Sequence, residues 1–273
     1  MTPDDKRKIK AYEAAADLFR PVLPKVEESI YRGLIAIVDS LDTKAGRLDY
    51  SQSLTSELMK VEKLVADNLN SGAYARTFSD YVRMVPELAQ LSATASSEKV
   101  PKRLLSTPKE VAIENAQALL AEPNMRVQFT NPLKLYMRSA VTNGGSVQQL
   151  KTALKRYVKG IEGDGGRLSS YVNTTALDTV RTLDGTLQQV IAEEFDLNAY
   201  EYQGTLLLDS RPQCVHWVKK RIILISEIPK EVERWKNSTG YGYGLGLTAQ
   251  NWPSVCGGYG CRHQTKAIRA PKG

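Results

Sequence analysis

The sequence predicts a mainly α N-terminal region followed by a small α+β C-terminal domain, and three observations lead there. Apolar residues recur every three or four positions through most of the first two hundred residues, the period of an amphipathic helix. Beyond Asp196 that period gives way to short alternating or β-branched runs bounded by turn and charged residues, the texture of strands. A chain of 273 residues, 42% hydrophobic and 25% charged, also carries enough apolar material for one large core or two small ones. The expected division puts a helical region at 1–165. A domain with one long helix, short strands and a Cys/His cluster follows at 166–273.

The first helix is expected from about Lys8 to Phe19, with Pro21 and Pro24 ending it. In KVEESIYRGLIAIVDSL, Val26, Ile30, Leu34, Ile37 and Leu41 share one helix face. A third helix runs through Leu54, Leu58, Val61, Val65 and Leu69, and a fourth covers Tyr74 to Leu91. The small, polar and basic segment 92–106 reads as a loop. Thr107-Pro-Lys-Glu110 then supplies a cap, a proline at the first helical position and a glutamate that can reach back, so a helix should run to about Leu120. Asn143-Gly-Gly-Ser146 is a turn, and Ser146 with Gln149 repeats the capping arrangement before Val147, Leu150, Leu154, Val158 and Ile161. After the glycine-rich break at 160–169 comes the longest helical stripe, from Val172 to Phe195. Gly185 inside it costs about 1 kcal/mol against alanine and marks close packing or a bend. AYEYQGTLLLDS and RIILI read as strands. SEIPKEVERW reads as a helix, with Ser226 as its cap.

No run of eighteen apolar residues occurs, and Met1 to Phe19 is charged and lacks an apolar signal core, so neither a membrane span nor a secretion signal is expected. Three cysteines are too few and too clustered for a disulfide framework, which favours a reducing compartment. Of the net charge of +7, residues 1–200 contribute +1 and residues 201–273 contribute +6. Lys219, Lys220, Arg221, Arg262 and Lys266 therefore form a candidate face for nucleic acid or an acidic protein surface, against the plainer reading of a solubilising surface. GYGYGLGL at 240–247 lacks the ending and context of a phosphate loop. It reads as a loop that orders on assembly, or one whose tyrosines stack on bases.

Every cysteine and histidine of the chain lies in two short stretches, DSRPQCVHW and CGGYGCRH. Zinc takes four soft or borderline ligands in a tetrahedron, usually as two short pairs from separated loops. Cys214, Cys256, Cys261 and His263 are the favoured set, with His216 as a fifth candidate. The competing reading is of small cysteines filling a core beside ordinary histidines. Asp209 and Glu227 could serve as the carboxylate base of a zinc hydrolase or nuclease.

The order of features resembles the C-terminal domain of the phage Mu F-like minor head proteins, also called phage head morphogenesis proteins. These show a strand, an Asp-x-Arg-x-x-Cys motif, and a closing Pro-x-x-His or Pro-x-x-Cys followed by Cys-Arg-His or Cys-Arg-Cys. Asp209, Arg211 and Cys214 match the first motif, and Pro253, Cys256, Cys261, Arg262 and His263 the second. The resemblance covers roughly residues 170–268, with a longer GGYG spacer and an unusual YGYGLGLTAQN insertion. It implies a structural virion protein, made in the bacterial host cytoplasm and held inside the head near the portal. Its partners would be portal and capsid proteins and, through the basic face, packaged DNA, in head assembly, packaging or ejection. The alternative is a zinc-dependent nucleic-acid-processing enzyme. Asp209 and Arg211 are expected to support the site, Asp209 by accepting a hydrogen bond from a ligand histidine or from Arg211.

Overall fold

The computed structural model describes residues 2–44, 47–49, 53–161, 165–238 and 246–271. In chain order the elements are α1 (Pro3–Ala16), α2 (Leu23–Asp39), β1 (Thr43–Lys44), β2 (Arg47–Leu48), α3 (Ser53–Asn70), α4 (Gly72–Ala95), α5 (Ser106–Leu120), α6 (Glu122–Met125), α7 (Asn131–Thr142), α8 (Val147–Lys159) and α9 (Arg167–Glu194). There follow β3 (Ala199–Gln203), α10 (Pro212–Lys220), β4 (Ile222–Leu224), α11 (Ile228–Trp235), α12 (Trp252–Val255) and β5 (Gln264–Ile268). The protein is mainly helical with a small α+β C-terminal part, as its periodicity predicts. Among the described residues no helix is long and apolar enough to cross a membrane. Residues 240–245 of the glycine-tyrosine run lie outside the described residues.

Two compact units share the chain, and they do not divide at 165. One comprises Met1–Asp17, Val82–Ala116 and Thr174–Gly273, the other Leu18–Tyr81 and Gln117–Asn173. Periodicity is a local property, whereas membership of a core is decided by partners far away in sequence.

In the second unit, the Val26–Leu41 series is buried as its spacing requires, and α2 packs on α3 and α8. Phe19 lies 5.5 Å from the rings of both Tyr74 and Tyr81. The capping box before α8 is formed, the Gln149 amide donating to Ser146 Oγ at 3.1 Å and the Ser146 amide to Gln149 Oε1 at 3.2 Å. Residues 122–142, for which the motifs predicted no element, form α6, a π-helical turn at Arg126–Thr130 and α7. Met125, Phe129, Leu133, Met137 and Val141 are all buried there, a four-residue spacing that the sequence displays.

In the first unit, α1 starts at Pro3 rather than Lys8, because Thr2 and Asp5 form a capping box. The loop expected at 92–106 is shorter, since α4 runs on to Ala95 and a 3-10 turn occupies Lys102–Leu105. Thr107, expected to cap, lies inside α5, which begins at Ser106 directly out of that turn. Gly185 marks close packing: a Cβ there would meet the Pro253 carbonyl and Ser254 Cα, so α12 lies with its backbone against α9. The sheet is antiparallel in the order β4-β3-β5, with Tyr200 paired to Ile223 on one side and Ala267 on the other. Both expected strands are present but short. Residues 204–208 leave the sheet, and β5 completes it. Ser226 lies in a 3-10 turn, and Glu227 takes the cap position of α11.

Candidate metal centre

Three elements deliver the side chains of the site. Strand β3 brings Tyr202, α10 brings Cys214, and the segment leading into β5 brings Cys261 and His263. Cys214 Sγ lies 3.7 Å from Cys261 Sγ, and Cys261 Sγ lies 3.3 Å from His263 Nδ1. In a tetrahedral zinc site with bonds of about 2.3 Å to sulfur and 2.0–2.1 Å to nitrogen, the corresponding edges are about 3.8 and 3.6 Å. All three side chains are buried, their ligand atoms lie within 4.8 Å of one another, and the group can hold a metal ion. Nδ1 is the His263 nitrogen that faces Cys261, while Nε2 is buried with no hydrogen-bond partner among the described residues.

The same Cys-x-His spacing works in one place and fails in the other. Cys261 and His263 lie on the irregular chain just before β5, which brings Cys261 Sγ and His263 Nδ1 to the same side, 3.3 Å apart. Cys214 and His216 lie on a helix rather than a strand, about 200° apart around its axis. His216 therefore points away from Cys214. It pairs with Glu231 at 3.1 Å and packs on the Trp235 ring. Glu231 also accepts hydrogen bonds from Trp217, Lys220 and Trp235. Burial alone would raise its pKa, but Lys220, Trp217 and His216 outweigh that and hold it at about 2.

Cys256, expected among the ligands, falls outside the three-residue group. It is buried at the C-terminal end of α12, and burial, with the neighbouring Cys261 adding to it, pushes its thiol pKa up.

The loop from Gly257 to Cys261 is clamped from two sides. Arg211 donates to the Gly257 carbonyl at 2.8 Å and to the Tyr259 carbonyl at 2.5 Å. From α9, Arg181 donates to the Gly258 carbonyl, and Asp178 accepts the Gly260 amide at 2.9 Å. The glycines follow from geometry. A Cβ on Gly257 would fall on Cys261 Sγ, while Gly258 and Gly260 hold positive φ angles of 75° and 69°.

The two thiols share a proton unequally. A hydrogen bond from Cys214, with His263 and the Arg181 charge adding to it, holds Cys261 well below an ordinary thiol. Cys214 is pushed up correspondingly, by that hydrogen bond and by burial. Tyr202 Oη donates to Cys214 Sγ at 3.6 Å and lies 3.9 Å from Cys261 Sγ. Its ring stacks on His263 at 5.3 Å.

Other expectations are revised. Asp209 is exposed and makes no hydrogen bond or ion pair among the described residues, so of that expected pair only Arg211 supports the site, and it does so by holding the second motif rather than the loop before Cys214. Lys266 is buried against Asp5 at 2.7 Å, which removes it from any contact face. Lys220 bridges Glu227 and Glu231, Arg221 pairs with Glu201 and Arg262 with Asp17, and only Lys219 of that set is exposed without an ion pair among the described residues. Glu227 is bound to the Leu224 amide and to Lys220. The motifs did not reveal Tyr202, Asp178 or Arg181; the one available signal was a charged pair inside the apolar stripe of α9.

A cavity of about 560 Å³ adjoins the centre, bordered by Cys214, Cys261, His263, Asp209, Arg211 and Arg262. Comparisons of the chain with protein-family models, with curated proteins and with solved structures each return no match.

Proposed function

We propose that this chain is a structural minor head protein of a tailed bacteriophage, held at or near the portal inside the head, with zinc bracing its C-terminal part. The observation that carries this reading is convergence. The two separated motifs behind the resemblance meet at one buried site, where Cys214 of the first faces Cys261 and His263 of the second. Arg211 of the first also holds the carbonyls of Gly257 and Tyr259 in the second. Two cysteines and a histidine favour zinc over hard cations such as magnesium or calcium, which prefer oxygen. Portal and capsid proteins are the proposed partners. Packaged DNA is a further one, through Lys219, Arg221 and Arg262. Of the two candidate bases of the enzyme reading, Glu227 is engaged in an N-terminal cap and an ion pair, while Asp209 is exposed at the cavity beside the centre and keeps that reading as the alternative.

The test is mass spectrometry of purified particles together with metal analysis of the isolated chain. The expected result is a few copies per particle co-purifying with portal, and about one zinc per chain. A chain absent from particles that degrades DNA with added divalent metal would overturn the structural role.

A further inference from the structure

The basic excess after residue 200 is largely tied to carboxylates by the fold. An acid-free run lies in the second unit as well. Residues 123–160 hold seven lysines and arginines and no aspartate or glutamate. Two of the seven are neutralised, since Arg126 pairs with Glu62 and Glu122 and Lys134 with Glu62. Four others lie on α8, whose solvent side presents Gln148, Gln149, Thr152, Lys155, Arg156 and Lys159. Lys151, Lys155 and Lys159 stand four apart, a row of like charges that disfavours a helix left to itself.

The carboxylates among the described residues around α8 do not cancel this charge. The helix packs on α2 and α7, and α7 has no acid. On α2, Glu27 is buried and accepts the Ser169 amide, Glu28 pairs with Arg32 and Lys159, and Asp39 pairs with Lys151. The β1–β2 hairpin, bridged to Ser146 at the start of α8, sets Asp42 and Asp49 against Lys44 and Arg47. Glu28 and Asp39 thus face Arg32, Lys151, Lys155, Arg156 and Lys159, a net +3, with Lys155 and Arg156 exposed and unpaired among the described residues.

The groups between the cations indicate the partner. A groove of about 570 Å³ is bordered by Tyr31 and Arg32 from α2 and by Gln148, Lys151, Thr152 and Lys155 from α8. Amide, hydroxyl and cationic donors in one row suit phosphate and sugar oxygens. At about 1.5 Å per residue α8 is about 20 Å long, the span of about six phosphates along one strand. A protein interface needs an apolar core, and a single strand needs aromatic platforms, yet α2 and α8 expose no large apolar or aromatic side chain.

We infer that the α8 face, with Arg32 of α2, docks on the phosphate backbone of duplex DNA. The contact is independent of base sequence and weakens with salt. This deepens the DNA partnership proposed above, which named only Lys219, Arg221 and Arg262, and it does not depend on the metal.

The experiment titrates the full chain into a fluorescent duplex of about 20 base pairs at about 50–200 mM KCl and reads anisotropy. Lys155→Gln with Arg156→Gln should weaken binding about tenfold and make the log-log salt slope shallower by about 2, one for each lost phosphate contact. Lys155→Arg with Arg156→Lys should keep the parental slope, which separates loss of charge from loss of fold. Lys99→Gln with Lys102→Gln removes the same charge from exposed positions of the first unit and should change affinity by less than about twofold. Equal losses in the two neutralised pairs would reduce the effect to net charge and overturn the inference. Poly-glutamate that displaces the duplex at equal charge concentration would also overturn it, pointing to an acidic protein instead. If only Lys219→Gln with Arg221→Gln weakens binding, DNA stays a partner and this face is not its site. A parent chain that does not bind the duplex sinks both.

Discussion

Substituting Gly257 and Gly260 by alanine, one at a time, separates two reasons for a glycine only three positions apart. At Gly257 the backbone is not left-handed, but an added Cβ would fall on Cys261 Sγ and come within 2.5 Å of Cys261 Cβ. Carbon and sulfur need about 3.5–4.0 Å, so the sulfur must move by more than an ångström. Its 3.7 and 3.3 Å contacts to Cys214 and His263 would then be lost. Metal affinity should fall beyond the about 10- to 100-fold typical of losing a supporting partner. At Gly260 the nearest atom to a Cβ is Thr174 Cγ2 at 3.4 Å, and the cost comes from the φ of 69°. That strain is about 1–2 kcal/mol, a fall of a few degrees in Tm with the thiols undisturbed. Zinc content after dialysis against a graded chelator, with thermal unfolding in parallel, reads both quantities. If Gly257→Ala keeps its zinc while Gly260→Ala loses it, the account of this loop is wrong.

Lys8→Met should destabilise the chain by about 3–5 kcal/mol in urea unfolding, because it strands Asp184 in a site where both groups are almost fully buried, whereas Lys8→Met with Asp184→Leu should recover most of the loss. An additive double mutant would argue against the pair. Arg211→Ala should weaken zinc about 10- to 100-fold, while Asp209→Asn should leave it unchanged; the reverse order would restore the supporting role first expected of Asp209. Glu231, held at about 2 from an ordinary 4.5, contributes stability that is complete above about pH 4.5 and is lost as the pH falls toward 2. Glu231→Gln should thus lie below the parent protein at pH 7 and close on it in that acidic window. A constant gap across the window would count against the assignment.

Local periodicity determined most of the helices. The series from Val26, the series from Leu54, the Ser146 capping box and the stripe of α9 could be read because each depends on residues within a turn or two of one another. The concentration of all cysteines and histidines in two stretches likewise pointed to the site. Tertiary structure decided which of them meet. Cys214-x-His216 and Cys261-x-His263 have the same spacing, and only the backbone each adopts, a helix in one and the irregular chain before β5 in the other, turns one pair apart and the other together. Charge behaves in the same way. Lys266 and Lys220 count as basic in the sequence, yet Asp5, Glu227 and Glu231 neutralise them in the fold. Lys8 finds Asp184 across 176 positions and draws the first helix into the unit that carries the C-terminal sheet. Periodicity is a short-range signal, but burial and charge pairing act between groups that only the folded chain brings within a few ångströms.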